Sequence, residues 1–250
     1  MRKYEFLYFD LDNTLWDFSV NAREALKQTL ENLDLIIQLP SFDDYFQLYE
    51  QINDSLWNDY RAKKITKQAL IVERFSRSLG AFQILNQDWQ KINCHYLECM
   101  ALQTQLFPGT LETLGYLKNK GYQMHIITNG FKEVQHAKLI NSGLSEFFGR
   151  VFISEEIHTT KPHREIFEHA LKSSNALKKK SIMIGDSWEI DILGAQNFGI
   201  DQIMFLNNGR NKVPELINSN FLVDNSTYLE LKSHQKTFFV NEITGLKNLL

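Results

Sequence analysis

Cysteine is scarce in this chain: two among 250 residues, Cys94 and Cys99. They lie five apart in a helical stretch and do not share a face, which excludes a disulfide framework and leaves two unpaired thiols in a reducing compartment. Long apolar runs are missing too. None approaches the roughly 20 residues that a membrane span needs, and the N-terminus shows no signal-peptide pattern, so a cytoplasmic protein is expected. There is no excess of positive charge: 27 Lys and Arg stand against 30 Asp and Glu, a formal net charge of −3, which argues against a nucleic-acid polymer as partner. Internal repeats and low-complexity tracts are absent. Proline is rare, and only Pro40 interrupts the long stretch between Trp16 and Met100.

What is present first is a strand. Five of the six residues before Asp10 are Tyr, Phe or Leu (Tyr4-Glu5-Phe6-Leu7-Tyr8-Phe9), a short run that reads as a strand buried on both faces. It runs straight into Asp10-Leu11-Asp12-Asn13-Thr14, placing two carboxylates and a hydroxyl at its carboxyl end. That edge is where ligands bind in open α/β sheets. Carboxylates this close repel one another, and a divalent cation such as Mg²⁺ is the usual remedy. The pattern points to a phosphoryl-transfer site with an aspartate nucleophile.

From residue 16 to residue 104 the chain changes character. Apolar residues recur at helical spacing, as Ala22, Ala25, Leu26, Thr29, Leu30 and Leu33, then as Tyr45, Leu48, Tyr49, Ile52 and Leu56. Thr66 and Asp88 are suited to cap two further helices. An all-helical domain of four or five helices is predicted here. Beyond residue 105 short apolar strands alternate with helices: strands over 123–127, 151–153, 181–184 and 203–206, with helices between them. This alternation predicts a Rossmann-like parallel sheet covered by helices on both faces. The predicted domains are therefore an α/β core of residues 1–15 and 105–250 and a helical domain of residues 16–104. Residues 207–236 are less regular, and a last strand and helix are predicted near 238–240 and 243–250.

Three more strands end in residues that handle anions or metals. Thr128-Asn129-Gly130 offers a hydroxyl, an amide and exposed backbone N–H groups for phosphate oxygens. Taken alone it is an ordinary polar turn. Lys161 precedes Pro162, which biases it to extended backbone, and its ammonium suits either a phosphate or open solvent. Ile182-Met183-Ile184 delivers Asp186 to the edge, and Asp191 follows near a helix start, where capping is an equal claim on it. Mg²⁺ takes oxygen ligands and keeps several waters; Asp10, Asp12 through its backbone carbonyl, and Asp186 suit it, with Asp191 beside them. Parallel strands present all these ends on one edge.

With these residues in this order, the chain resembles the haloacid dehalogenase-like superfamily of phosphohydrolases. Asp10-Leu11-Asp12-Asn13-Thr14 matches the first motif of that family, Thr128 the second, Lys161 the third, and Asp186 with Asp191 the fourth. The helical insertion resembles the family's cap. Local phrases such as Asp12-Asn13-Thr14-Leu15-Trp16-Asp17-Phe18, Leu56-Trp57-Asn58-Asp59-Tyr60 and Ile127-Thr128-Asn129-Gly130-Phe131 are similar to the bacterial branch containing pyrimidine 5′-nucleotidases. The resemblance implies a Mg²⁺-dependent phosphatase in which Asp10 is the nucleophile, Asp12 the general acid and base, and Thr128, Asn129, Gly130 and Lys161 hold the phosphate. It places the metal at Asp10, Asp12, Asp186 and Asp191. Asp12 favours a phosphate ester over a halide, because a halide leaves without a proton. The substrate is then a small phosphorylated metabolite, with Trp16, Phe18, Trp57 and Tyr60 available to stack on a base or to form ordinary aromatic core. A sugar-phosphate or phosphoglycolate phosphatase, a phosphomutase and a catalytically silent binding module remain alternatives. The expected assembly is a monomer or a homodimer.

Overall fold

The computed structural model describes residues 3–209, 211, 228–230 and 235–250. The chain divides into two compact units, Met1–Phe18 with Thr104–Leu250, and Ser19–Gln103. The first holds a sheet of seven strands: β1 (Phe6–Phe9), β2 (Gln123–Thr128), β3 (Arg150–Ile153), β4 (Ser181–Gly185), β5 (Asp201–Phe205), β6 (Tyr228–Glu230) and β7 (Lys236–Val240). Their spatial order is β3-β2-β1-β4-β5-β7-β6. All neighbours run parallel except β6, an antiparallel edge strand on β7. Most of the irregular 207–236 segment lies outside the described residues, but β6 falls within it.

β1 is central because it is apolar on both faces. Phe6 and Tyr8 join Ile127, Phe152, Phe167 and Met183 in one cluster; Leu7 and Phe9 are fully buried as well, and Phe9 meets Phe148 edge-on with ring centroids 5.8 Å apart. Each such side chain contributes about 1.5–3 kcal/mol on burial. Register then fixes chemistry. Phe9 pairs with both Ile126 and Ile184, and the Asp10 N–H donates to the Ile184 carbonyl at 2.9 Å. The carboxyl ends of β1, β2 and β4 are therefore level. The chain winds from β1 towards β3 on one side and resumes at β4 on the other, so the gap between β1 and β4 is a topological switch point, the crevice where such sheets take ligands.

Helices α5 (Thr110–Asn119), α6 (Lys132–Asn141), α7 (Ser154–Ile157), α8 (Arg164–Ser173), α9 (Leu193–Phe198) and α10 (Leu246–Leu249) complete the first unit. α6 ends two residues before Gly143, whose φ of +73° suits a glycine just past a helix. The second unit contains α1 (Phe18–Asn32, its first residue belonging to the other unit), α2 (Phe42–Arg61), α3 (Lys67–Gly80) and α4 (Trp89–Leu102). Thr66 and Asp88 accept hydrogen bonds from the Ala69 and Lys91 N–H groups at 3.1 and 3.0 Å, as N-caps do. Its interior is aromatic and polar at once: Tyr49 lies 5.7 Å from Phe75 and 6.0 Å from Tyr96, and buried Arg74 bonds Asn93 with its guanidinium 4.9 Å from the Tyr96 ring. No helix among the described residues is long and apolar enough to cross a membrane.

Residues 16–18 sit with the sheet unit rather than with the helices. The reason is pairing between the outgoing and returning chain: Trp16 bridges Leu106, the Asp17 N–H donates to the Gln105 carbonyl at 3.0 Å, and the Phe107 N–H to the Leu15 carbonyl at 3.0 Å.

Candidate active site

The loop after β1 folds back on itself. The Leu11 carbonyl accepts from the N–H groups of Leu15 and Trp16, both at 3.0 Å, and Asn13 takes a left-handed conformation with φ 62° that asparagine tolerates better than most residues. This sets Asp10 buried at the strand end and leaves Asp12 half-buried beside it. The Thr14 hydroxyl lies 3.4 Å from Asp10 Oδ2 and 3.3 Å from Asp186 Oδ1, tying the first motif to β4. Thr14 had no expected role; its position four residues after Asp10 is the signal that was there to be read.

After β4 the backbone makes a wide π turn over Trp188–Ile192 before α9, the kind of helical irregularity that recurs at functional sites. It swings Asp191 back over the end of β4, where its Oδ2 accepts the Ser187 N–H at 3.1 Å. A Cβ on Gly185 would lie 2.5 Å from Asp191 Oδ2, so only glycine leaves room for this approach. One carboxylate oxygen from each of Asp10, Asp186 and Asp191 falls within 4.8 Å of the others.

Lys161 is the countercharge. It is 1% exposed, its ammonium contacts Asp10 Oδ1 and lies 2.7 Å from Asp191 Oδ1. Burial opposes its charged form, but the two carboxylates outweigh that and hold its pKa above the ordinary lysine range. Its main chain is fixed by Asn129, whose side chain donates to the Lys161 carbonyl at 3.0 Å and accepts the Lys161 N–H at 2.8 Å. Asn129 was expected to hold phosphate; the Lys161 peptide engages its oxygen and one of its two amide hydrogens, so its side chain also fixes the Lys161 main chain. Thr128 is buried, its Oγ1 accepting from Gln135 Nε2 at 2.7 Å and facing the Gly130 N–H at 3.4 Å.

With all three carboxylates ionised, Asp10 and Asp191 buried and Asp186 half-buried, the one ammonium leaves the cluster two charges short of neutral. Burial pushes the Asp10 carboxyl up to about 7, Lys161 pulling the other way while Asp191 and Asp12 add to the rise. Asp186 is raised well above the usual carboxylate range by burial, then by Asp10 and Asp191. A divalent cation supplies the two missing charges, and an all-oxygen donor set is what Mg²⁺ selects. The residues fit the ion. Asp10, Asp186 and Asp191 would hold it. The Asp12 carboxylate is turned to α6, where Lys138 Nζ and Gln135 Nε2 bond its two oxygens at 2.7 and 2.9 Å; the Asp12 group expected at the metal is its main-chain carbonyl, which these bonds leave untouched.

Trp16 was a candidate for stacking on a base. It is fully buried, with the Lys138 ammonium 4.2 Å from its ring centroid, and that cation, not a ligand, occupies the face. Phe18 is half-buried nearby, 6.3 Å from Trp16. Trp57 and Tyr60 belong to the helical unit, partly exposed and edge-to-face at 5.7 Å. Gln135 and Lys138 are the site residues that the motif reading missed.

Residues 7–205 match the family model for haloacid dehalogenase-like hydrolases. The chain belongs to this family. Among relatives of these hydrolases, the pyrimidine 5′-nucleotidase PynA of Streptococcus pneumoniae is 37% identical over 203 residues, covering 81% of this chain and 84% of its own. A glyceraldehyde 3-phosphate phosphatase of Methanothermobacter thermautotrophicus is 31% identical and covers 98% of both chains. Among solved structures, the putative hydrolase YfnB of Bacillus subtilis, crystallised with magnesium, superposes with a TM-score of 0.82 at 25% identity, covering 100% of this chain and 99% of that one.

Proposed function

We propose that this hydrolase cleaves small phosphate monoesters, nucleoside 5′-monophosphates foremost, through an aspartyl-phosphate on Asp10. The observation that carries the reading is the pair of carboxylates two residues apart, with opposite environments. Asp10 is packed against Lys161 and the other two acids, suited to attack; Asp12 stands apart, suited to handle protons. An Asp10 carboxylate oxygen attacks phosphorus, the P–O ester bond breaks, and Asp12 delivers a proton to the departing alkoxide. Asp12 then takes a proton from water, whose oxygen attacks phosphorus; the Asp10–phosphorus bond breaks, freeing inorganic phosphate and the carboxylate. Lys161, Thr128 and the Gly130 N–H serve to hold the non-bridging oxygens, with Asn129 keeping Lys161 in place. Mg²⁺, when bound at Asp10, Asp186 and Asp191, supplies charge that screens the nucleophile from the phosphate dianion.

Residues 19–103 act as the cap in this reading, with Trp57 and Tyr60 contacting the base. Similarity to a pyrimidine 5′-nucleotidase supports the nucleotide, while the phosphatase of Methanothermobacter supports a three-carbon sugar phosphate as the second reading. The test is phosphate release from purine and pyrimidine nucleotides, glyceraldehyde 3-phosphate and phosphoglycolate, with Mg²⁺, with EDTA and with Asp10→Asn. Release that needs both the metal and Asp10 and favours pyrimidine nucleotides is expected. Preference for glyceraldehyde 3-phosphate would keep the mechanism and overturn the substrate; wild-type turnover by Asp10→Asn would overturn the mechanism.

A further inference from the structure

Both oxygens of the Asp12 carboxylate are held from one helix. Gln135 and Lys138 are three apart on α6, hence on one face, and both are buried. Lys138 Nζ donates to Asp12 Oδ1 at 2.7 Å and Gln135 Nε2 to Oδ2 at 2.9 Å. Lys138 is itself fixed, its ammonium 4.2 Å from the Trp16 ring centroid and 5.4 Å from that of Phe18. Gln135 also donates to Thr128 Oγ1 at 2.7 Å. A hydroxyl has two acceptor lone pairs and one hydrogen. With Gln135 on one lone pair and the Gly130 N–H at 3.4 Å facing the other, the Thr128 hydrogen remains to be donated. Gly130 itself makes space for this arrangement, because a Cβ there would overlap the Gln135 carboxamide.

We propose that Gln135 and Lys138 form a clamp that positions Asp12 for proton delivery and orients the Thr128 hydroxyl as a donor to the phosphate. The clamp deepens the phosphatase reading and rests on it. Two hydrogen bonds to different oxygens stop the carboxylate from rotating, which one ion pair would not do. Through Gln135 the proton-handling group and the phosphate-holding hydroxyl are parts of one hydrogen-bonded unit, so their separation is set before substrate arrives. A buried lysine whose partner is a reacting group, rather than another structural carboxylate, is the feature that a purely structural account of α6 does not need.

Leaving-group dependence tests it, because p-nitrophenolate departs without a proton whereas the alkoxide of an alkyl phosphate needs one. Asp12→Asn, Lys138→Met and Gln135→Leu would be assayed on the best alkyl monoester of the substrate panel and on p-nitrophenyl phosphate. For Lys138→Met, kcat/KM on the alkyl ester should fall about 10- to 100-fold, in the range that misplacing a catalytic group costs, with several-fold less loss on the aryl ester; kcat/KM is compared because it ends at leaving-group departure and excludes the water step that Asp12 also serves for both esters. Gln135→Leu should show the same ratio and a raised KM, since Thr128 loses its orientation. Equal losses on both esters in a Lys138→Met protein with native circular dichroism would overturn the clamp, provided Asp12→Asn shows the leaving-group pattern. If Asp12→Asn lacks that pattern, the assignment of Asp12 fails first and the clamp with it. Should Lys138→Met not fold, Gln135→Leu decides by the same ratio.

Discussion

Replacing Lys161 with methionine removes an ammonium that stands between two buried carboxylates while keeping the length and most of the volume of the side chain. The Asn129 hydrogen bonds are to the Lys161 main chain, so the loop stays anchored and the measurement reports the charge. Stripping one partner from a buried ionic cluster costs about 3–5 kcal/mol. For a chain of 250 residues each kcal/mol lowers the unfolding midpoint by roughly 2–4 °C, giving a drop of about 6–20 °C at pH 8 without metal. The loss should depend on pH. Lys161 opposes the burial that raises the Asp10 pKa, so without it Asp10 and Asp186 hold their protons to higher pH. At pH 5 both are neutral in the variant and the cost shrinks. Mg²⁺ should restore part of the midpoint at pH 8, because it supplies charge at the same carboxylates. Thermal unfolding at the two pH values, with EDTA and with Mg²⁺, makes the comparison. A variant that melts with the wild type at pH 8 in EDTA would refute the electrostatic account of the cluster.

In the wild-type protein Asp10 has a folded pKa of about 7 against roughly 3.9 for an unperturbed aspartate. Metal-free stability from this group is therefore present at low pH and lost as pH rises towards 7, and Mg²⁺ should raise the melting midpoint more at pH 8 than at pH 5. Gly185→Ala should displace Asp191 from the carboxylate cluster; isothermal titration is expected to give at least about tenfold weaker Mg²⁺ binding, roughly 1.4 kcal/mol. His125 is buried among Phe6, Tyr8 and Phe152, and burial, then Arg150, lower its pKa to about 4. It is neutral in the fold, so its share of stability is intact above pH 6.5 and lost as pH falls through 4, about 3 kcal/mol in all. His125→Phe should flatten the acid limb of a urea-denaturation profile; an unchanged limb would place acid sensitivity elsewhere.

Much of this protein is local information. An apolar run of four residues followed by Asp-x-Asp is a buried strand and its end, whatever surrounds it. Asp10, Thr128, Lys161, Asp186 and the helices capped by Thr66 and Asp88 were legible for that reason, since periodicity and turn chemistry act over a few residues. The parallel sheet followed from alternation, and a parallel sheet puts its strand ends on one edge. What lay beyond reach depends on contacts between distant segments. Gln135 and Lys138 are separated from Asp12 by 123 and 126 residues, and on α6 they read as two ordinary polar positions; only the crossover from β1 to β2 and back along α6 brings them there. Asn129 reads as a phosphate ligand, and its bonds to the Lys161 main chain exist only once that loop arrives. Trp16 reads as a stacking surface until a buried ammonium covers it. Residue types and their order determined which chemistry was available to this chain, because a carboxylate, a lysine or a hydroxyl carries its reactivity with it. Tertiary structure decided which group acts and which merely holds another, because that is set by distance and burial, and both exist only once the sheet has formed.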